Sequence, residues 1–265
     1  MIDLELICRE TRKIAIEVGA FIKEQQKNIN TDVIENKGTH DFVTFVDKTA
    51  EAKIIESLKP LITEAGFIAE EGTETITGPT YNWIIDPLDG TTNYIHGFSP
   101  FAVSIALKRE NKIVLGVVYE ISLNECFYSW EGASAYLNDK TITASNASTV
   151  EASLVGTGFP YRNFEQLDSY MDLLKHLCIS SQGVRSPGSA ATDLAYVACG
   201  RFDAFYEYGL QAWDVAAGAF LVQQAGGNVC DFLGEDDYIF GQEIIASNSL
   251  NFAEFKACIQ KFMLK

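Results

Sequence analysis

The stretch from Trp83 to Tyr94 reads Trp-Ile-Ile-Asp-Pro-Leu-Asp-Gly-Thr-Thr-Asn-Tyr, an apolar run that gives way to two carboxylates, a proline, a glycine and two hydroxyls. Trp83, Ile84 and Ile85 have the aromatic and β-branched character of a buried strand. Pro87 cannot donate to a ladder and keeps the residue before it out of the helical region, so the strand is expected to end at Asp86. A tight turn would then bring Asp89 to the same pocket, and Gly90 would let the following backbone N–H groups approach an anion. Two acids beside an anion cradle call for cations between them, and hard divalent ions such as Mg²⁺ accept carboxylate, carbonyl and water oxygens. Backbone chemistry alone offers a simpler account, since Asp, Pro and Gly dominate ordinary turns.

Other acids have two readings each. Asp47 falls in the first turn of a helix for which Thr44 is the expected N-cap, a place the helix dipole favours for a carboxylate. Gly66 to Gly72 reads as a short buried strand ending in Glu70 and Glu71, and neighbours on a strand face opposite ways, so only one of them can share a pocket with Asp86. Asp214 opens a helix, where an acid often serves only as a cap. Glu207 follows a strand at 202–206 and reads locally as a surface acid, while Ser189 reads as a helix N-cap.

The elements that must position these groups follow from periodicity. Leu4, Ile7, Cys8, Thr11, Ile14, Ala15, Val18, Phe21 and Ile22 fall on one face of a long helix, and Val46, Ala50, Ile54 and Leu58 on a second that Pro60 stops. Lys37 to His40 reads as a loop, with His40 solvated. Between Phe101 and Ile142, strands at 102–108, 113–119, 125–130 and 135–137 are separated by hairpin residues, which predicts an antiparallel sheet. The second half alternates: a strand at 154–156, a helical stripe of Phe164, Leu167, Met171, Leu174, Leu177 and Cys178, a small-residue helix at 190–199, a strand at 202–206, and helices at 213–224 and 250–262. Strands alternating with helices after an antiparallel block imply layered α and β, the α+β class.

At 265 residues and 47% hydrophobic, the chain fits one domain with a large core. A formal charge of −16, from 36 acids against 20 bases, argues against a nucleic-acid partner, whereas a small phosphorylated substrate fits if bound cations invert the local sign. The start lacks a secretory layout and no apolar run approaches the roughly 20 residues of a membrane span, so a soluble, cytoplasmic protein with no membrane partner is expected. Cys8, Cys126, Cys178, Cys199, Cys230 and Cys258 are scattered without a C-x-x-C pair and read as reduced core thiols.

The string at 86–94 resembles the signature of the inositol monophosphatase family, Asp-Pro-(Ile/Leu)-Asp-Gly-Thr-Thr-Asn-(Phe/Tyr). The resemblance extends to Phe67–Gly72, Arg185–Ala190, Tyr206–Gly209 and Trp213–Gly218, in the family's order, with Ala69 standing where the family usually has glycine. It implies a layered α-β-α-β-α sandwich and a Mg²⁺-dependent, lithium-sensitive phosphatase with two or three ions per site. It also implies that Glu70, Asp86 and the Leu88 carbonyl hold one ion and Asp86, Asp89 and Asp214 another. Metal-activated water would be oriented by Glu70 and Thr91 with Asp47 behind, and Asp89, Gly90, Thr91, Ser189, Ala190 and Glu207 would touch the substrate. Matching to the motif selects Glu70 over Glu71. The implied reaction converts myo-inositol monophosphate to myo-inositol and phosphate, in a homodimer. Thr92-Asn93-Tyr94 differs from the Lys-Glu-Phe usual in the nucleotide-cleaving branch. Fructose 1,6-bisphosphate or another small phosphate monoester stays open as substrate, and a different class of alternative is a non-catalytic relative that binds a protein or the transcription machinery.

Overall fold

The computed structural model describes residues 2–27, 34–36, 42–74, 76–161 and 163–264, with backbone alone at 34–36 and 42–44. The loop expected at Lys37 to His40 and the Thr44 cap lie outside what is described. Helix α1 (Leu4–Gln26) is capped by Asp3, whose carboxylate accepts the Leu6 N–H at 3.1 Å, and it buries Ile7, Cys8, Thr11, Ile14, Ala15, Val18 and Ile22 as its spacing predicts. A two-stranded ribbon of β1 (Ile34–Asn36) and β2 (Phe42–Thr44) precedes α2 (Phe45–Leu58), which stops short of Pro60.

Seven strands form the first sheet in chain order: β3 (Gly66–Ala69), β4 (Tyr81–Asp89), β5 (Ala102–Arg109), β6 (Lys112–Glu120), β7 (Glu125–Trp130), β8 (Ala135–Leu137) and β9 (Lys140–Ile142). All pairings are antiparallel except β3 with β4. Strand β4 does not end at Asp86. It pairs Asp86 with Ser104 and next Asp89 with Ala102, with a register shift between, so Pro87 sits in a bulge where no ladder donor is needed. A short helix, α3 (Thr91–Ile95), follows directly.

The second sheet has the order β11-β10-β12-β14-β13, built from β10 (Leu154–Thr157), β11 (Gly183–Arg185), β12 (Ala204–Tyr208), β13 (Gly227–Cys230) and β14 (Glu243–Asn248). Four helices serve it: α4 (Leu167–Ser180), α5 (Ala190–Ala198), α6 (Ala212–Gln224) and α7 (Phe252–Met263). Helices α1 and α2 cover one face of the first sheet, α5 and α6 fill the space between the sheets, and α4 and α7 cover the outer face of the second. The result is the layered α-β-α-β-α arrangement, with one hydrophobic cluster under each outer helix layer and a third that fills both spaces around the middle helices.

Helix α4 corrects the expected stripe. Its buried residues are Tyr170, Leu173 and Leu177, while Phe164 lies before the helix and is 51% exposed, Met171 is 48% exposed and Cys178 is exposed. A tyrosine anchors the inner face because its hydroxyl has partners there, the Gly158 carbonyl at 2.8 Å and Thr157 Oγ1 at 3.1 Å. All six cysteines are free, and Cys8, Cys126 and Cys230 are buried. Among the described residues no helix is long and apolar enough to cross a membrane.

Candidate active site

The C-terminal end of β4, the turn after β3 and the N-termini of α5 and α6 open onto one cavity of about 530 Å³. Its polar end is lined by Glu70, Asp86, Leu88, Asp89, Gly90, Thr91, Ser189, Ala190, Glu207 and Asp214. Asp47 alone of the sequence-selected residues does not line it. That carboxylate is buried behind the wall, close enough to Tyr94 to add to the rise that burial imposes on the phenol.

Asp86 accepts the Leu88 N–H at 2.9 Å across the bulge, and the Leu88 carbonyl in turn accepts the Thr91 hydroxyl at 2.9 Å. Gly90, with φ 87°, makes the left-handed step from strand to helix; a Cβ there would stand 3.0 Å from the Pro100 carbonyl oxygen. Asp89 reaches across to α5, accepting the Ser189 hydroxyl at 2.6 Å and the Ala191 N–H at 2.8 Å. Ser189 also caps α5 by accepting the Thr192 N–H at 3.3 Å, so its two sequence readings coexist. Asp214 likewise accepts the Gln211 N–H at 2.7 Å while its carboxylate borders the cavity. Glu207 lies against the backbone of Gly158, where an added Cβ would stand 2.2 Å from its carboxylate.

One oxygen each of Asp86, Asp89 and Asp214 lies within 4.8 Å of the others. Gathering acids out of water penalises their charged forms. Burial, then Glu70, Asp89 and Asp214 push the Asp86 carboxyl well above the usual range. Burial raises Asp89 to about 6 even though the Ser189 hydroxyl and nearby backbone N–H groups pull the other way. Burial, Asp214 and Asp89 raise Glu207. An all-oxygen set under mutual repulsion fits hard divalent cations, which would relieve that repulsion.

Three residues of this neighbourhood were given no role from the sequence, Asn93 although it stands inside the 86–94 string. Asn93 Nδ2 donates to the Pro100 and Pro187 carbonyls, each at 2.8 Å, and so ties the β4 loop to the segment leading into α5. Asp193, one turn beyond Ser189, is 1% exposed, and neither of its carboxylate oxygens has a hydrogen-bond partner among the described residues; burial, then Glu207 and Asp89, hold its carboxyl well above the ordinary range. Glu51 sits one turn after Asp47 on α2. For Glu51 and Asp193, the four-residue spacings Asp47/Glu51 and Ser189/Asp193 carried the only available signal. At the outer end, Phe98, Phe159 and Phe164 line the mouth of the cavity and are exposed.

A sequence profile of the inositol monophosphatase family matches residues 3–263. The chain belongs to the inositol monophosphatase family. Within that family, "Nus factor SuhB" of Pseudomonas aeruginosa is 39% identical over 253 residues, covering 94% of this chain and 93% of the relative. The crystal structure of extragenic suppressor protein SuhB from Bartonella henselae superposes with a TM-score of 0.88 at 36% identity, covering 94% of this chain and 96% of that one. The inositol monophosphatase of Anabaena (Nostoc) gives a TM-score of 0.85 at 32% identity, covering 98% and 97%. Family membership accounts for the layered fold, and the acidic cluster is of the kind expected for a metal-dependent phosphatase family.

Proposed function

We propose that this protein is a Mg²⁺-dependent phosphomonoesterase that hydrolyses myo-inositol monophosphate, or a closely related polyol phosphate, to the free alcohol and phosphate. The observation that carries the reading is the convergence of Asp86, Asp89 and Asp214 within 4.8 Å at the polar end of a cavity wide enough for a sugar-sized ester. Glu70, Asp86 and the Leu88 carbonyl would hold one ion, and Asp86, Asp89 and Asp214 another. Bound Mg²⁺ supplies positive charge against the phosphoryl oxygens and makes water more acidic.

The chain's own groups do the rest. Thr91 spends its hydroxyl hydrogen on Leu88, so its oxygen is left to accept a hydrogen from the attacking water. Glu70 takes the water's proton as the oxygen adds to phosphorus and the ester P–O bond breaks; the departing alcohol oxygen is protonated by a second water. Asp47, buried behind this wall, supports the positioning of that water. Backbone N–H groups of Gly90 and Thr91 face the phosphate, while Ser189, Ala190, Asp89 and Glu207 meet hydroxyls of the polyol. Residues 1–265 act as one domain in this reading, since the acids come from both halves of the chain. Homodimer formation, lithium inhibition and a cytoplasmic setting belong to the same proposal.

Phosphate release from inositol 1-phosphate, fructose 1,6-bisphosphate, histidinol phosphate and adenosine 3′,5′-bisphosphate, each with and without Mg²⁺, tests the reading. The expected order of kcat/KM places inositol 1-phosphate first. A second reading, a protein-binding role, is favoured by the name "Nus factor" carried by relatives such as the P. aeruginosa protein. Absence of any Mg²⁺-dependent phosphate release would shift the conclusion to it.

A further inference from the structure

Glu51 is fully buried on α2, yet it does not border the cavity. Its Oε2 accepts the Glu71 N–H at 2.7 Å and its Oε1 accepts the Thr73 N–H at 2.7 Å. Between these donors Gly72 has φ 66°, so the backbone curls to aim both N–H groups at one anion. The chain thus builds an anion nest and fills it with its own carboxylate. The turn so held begins at Glu70, whose N–H bonds to the Ile85 carbonyl at 3.2 Å, next to Asp86 in the chain. Glu70 is therefore moored on one side to β4 and on the other to Glu51.

We propose that Glu51 is a positioning residue for the cation site: it locks the turn after β3 so that Glu70 is presented beside Asp86 before any ion arrives. This rests on the reading of Glu70 as a metal ligand. Glu51 does not border the cavity and both its oxygens face the turn's backbone, so it is not placed to ligate there itself. Its influence must pass through the order it imposes on Glu70, and an unmoored Glu70 would pay that ordering on each binding event. Residues that orient metal ligands typically change metal affinity by about 10–100-fold when lost.

The test compares wild type with Glu51→Gln and Glu51→Ala, with Arg109→Ala as a surface control, by calorimetric titration with Mg²⁺ and by amide hydrogen exchange. Glu51→Gln keeps the shape and one acceptor but strands one N–H. Folded Glu51→Ala should bind Mg²⁺ about 10–100-fold more weakly, with Glu51→Gln intermediate, and kcat at saturating Mg²⁺ should recover to within a few-fold. In the wild type the Glu71 and Thr73 amides should be protected before Mg²⁺ is added and no more so after. Exposed-rate exchange of those amides in the metal-free wild type overturns the proposal whether or not the variants fold. So does wild-type Mg²⁺ affinity in a folded Glu51 variant. A wild type that binds no Mg²⁺ overturns the metal-site reading itself, so the two failures are distinguishable.

Discussion

At the scale of single residues, burial separates the two acids that flank Ser189 in the site. Asp89 has a hydroxyl and a backbone N–H to accept, whereas Asp193 has neither among the described residues, and a neutral carboxyl is the cheapest way to keep it inside. A carboxyl raised in the folded state contributes stability that is complete below the ordinary carboxylate range and is lost as pH rises through the folded value. Asp193→Asn removes that loss. Thermal melts of the metal-free protein should show the variant at or above wild-type Tm at pH 7.5 and no better than wild type at pH 5; a variant less stable at pH 7.5 than at pH 5, relative to wild type, would sink the account. Asp86 is the opposite case, because its oxygens are wanted as anions once cations are present. Asp86→Asn should lower Mg²⁺ affinity and kcat/KM together, each by at least roughly 100-fold. A near-normal rate in that variant would falsify the assignment.

At the scale of elements, the site depends on how closely β10 and β12 let their ends approach. Glu207 occupies the space a side chain at position 158 would need. Gly158→Ala should therefore displace the Glu207 carboxylate, raising KM for a polyol phosphate several-fold while leaving Mg²⁺ affinity near wild type. A shift in metal affinity without one in KM would show that the residue serves the cation end instead. Tyr170, whose hydroxyl holds the Gly158 carbonyl from α4, extends the same support; Tyr170→Phe leaves a buried acceptor without its donor and should cost about 1–3 kcal/mol in a denaturant titration. These elements also show what could be read from sequence. Helices α1 and α2 and strands β5 to β8 declared themselves by one apolar face or an unambiguous hairpin break, and α5 and α6, buried nearly all round, by apolar small-residue runs closed by glycine. Helix α4 declared its presence but not its inner face, since Leu167, Met171 and Leu174 form a second apolar arc and the true inner face is anchored by a tyrosine. Strands β9, β11 and β13 are short and mix glycine or polar residues into three or four positions (Lys-Thr-Ile, Gly-Val-Arg, Gly-Asn-Val-Cys), so no apolar run or alternation marks them. The bulge at Pro87 hid the last residues of β4 because a proline is silent about whether its missing donor is needed.

At the scale of the whole molecule, the acids come from places that only the fold brings together, Glu70 and Asp86 at adjacent strand ends, Asp89 beyond the bulge and Asp214 at the start of α6. Motif order along the chain named them, but their cost appears only in three dimensions: burial raises the carboxyls at Asp86, Asp89 and Glu207, and neighbouring carboxylates add to the rise at Asp86 and Glu207. Without metal, their neutral forms favour the folded state, so the stability they contribute should be complete below the ordinary carboxylate range and be lost as pH rises through about 6, the value Asp89 reaches. Cation binding needs those same protons gone, so apparent Mg²⁺ affinity should climb over the same interval. The two dependences have opposite signs and cross. At 100 times its Kd a ligand confined to the native state adds about 2.7 kcal/mol, which for a chain of this size raises Tm by about 5 °C. Melts with and without Mg²⁺ across pH 5 to 8 should thus show a gap that opens above pH 6 and closes below it. A Mg²⁺ effect as large at pH 5 as at pH 7.5 would mean that the ion binds somewhere other than this cluster.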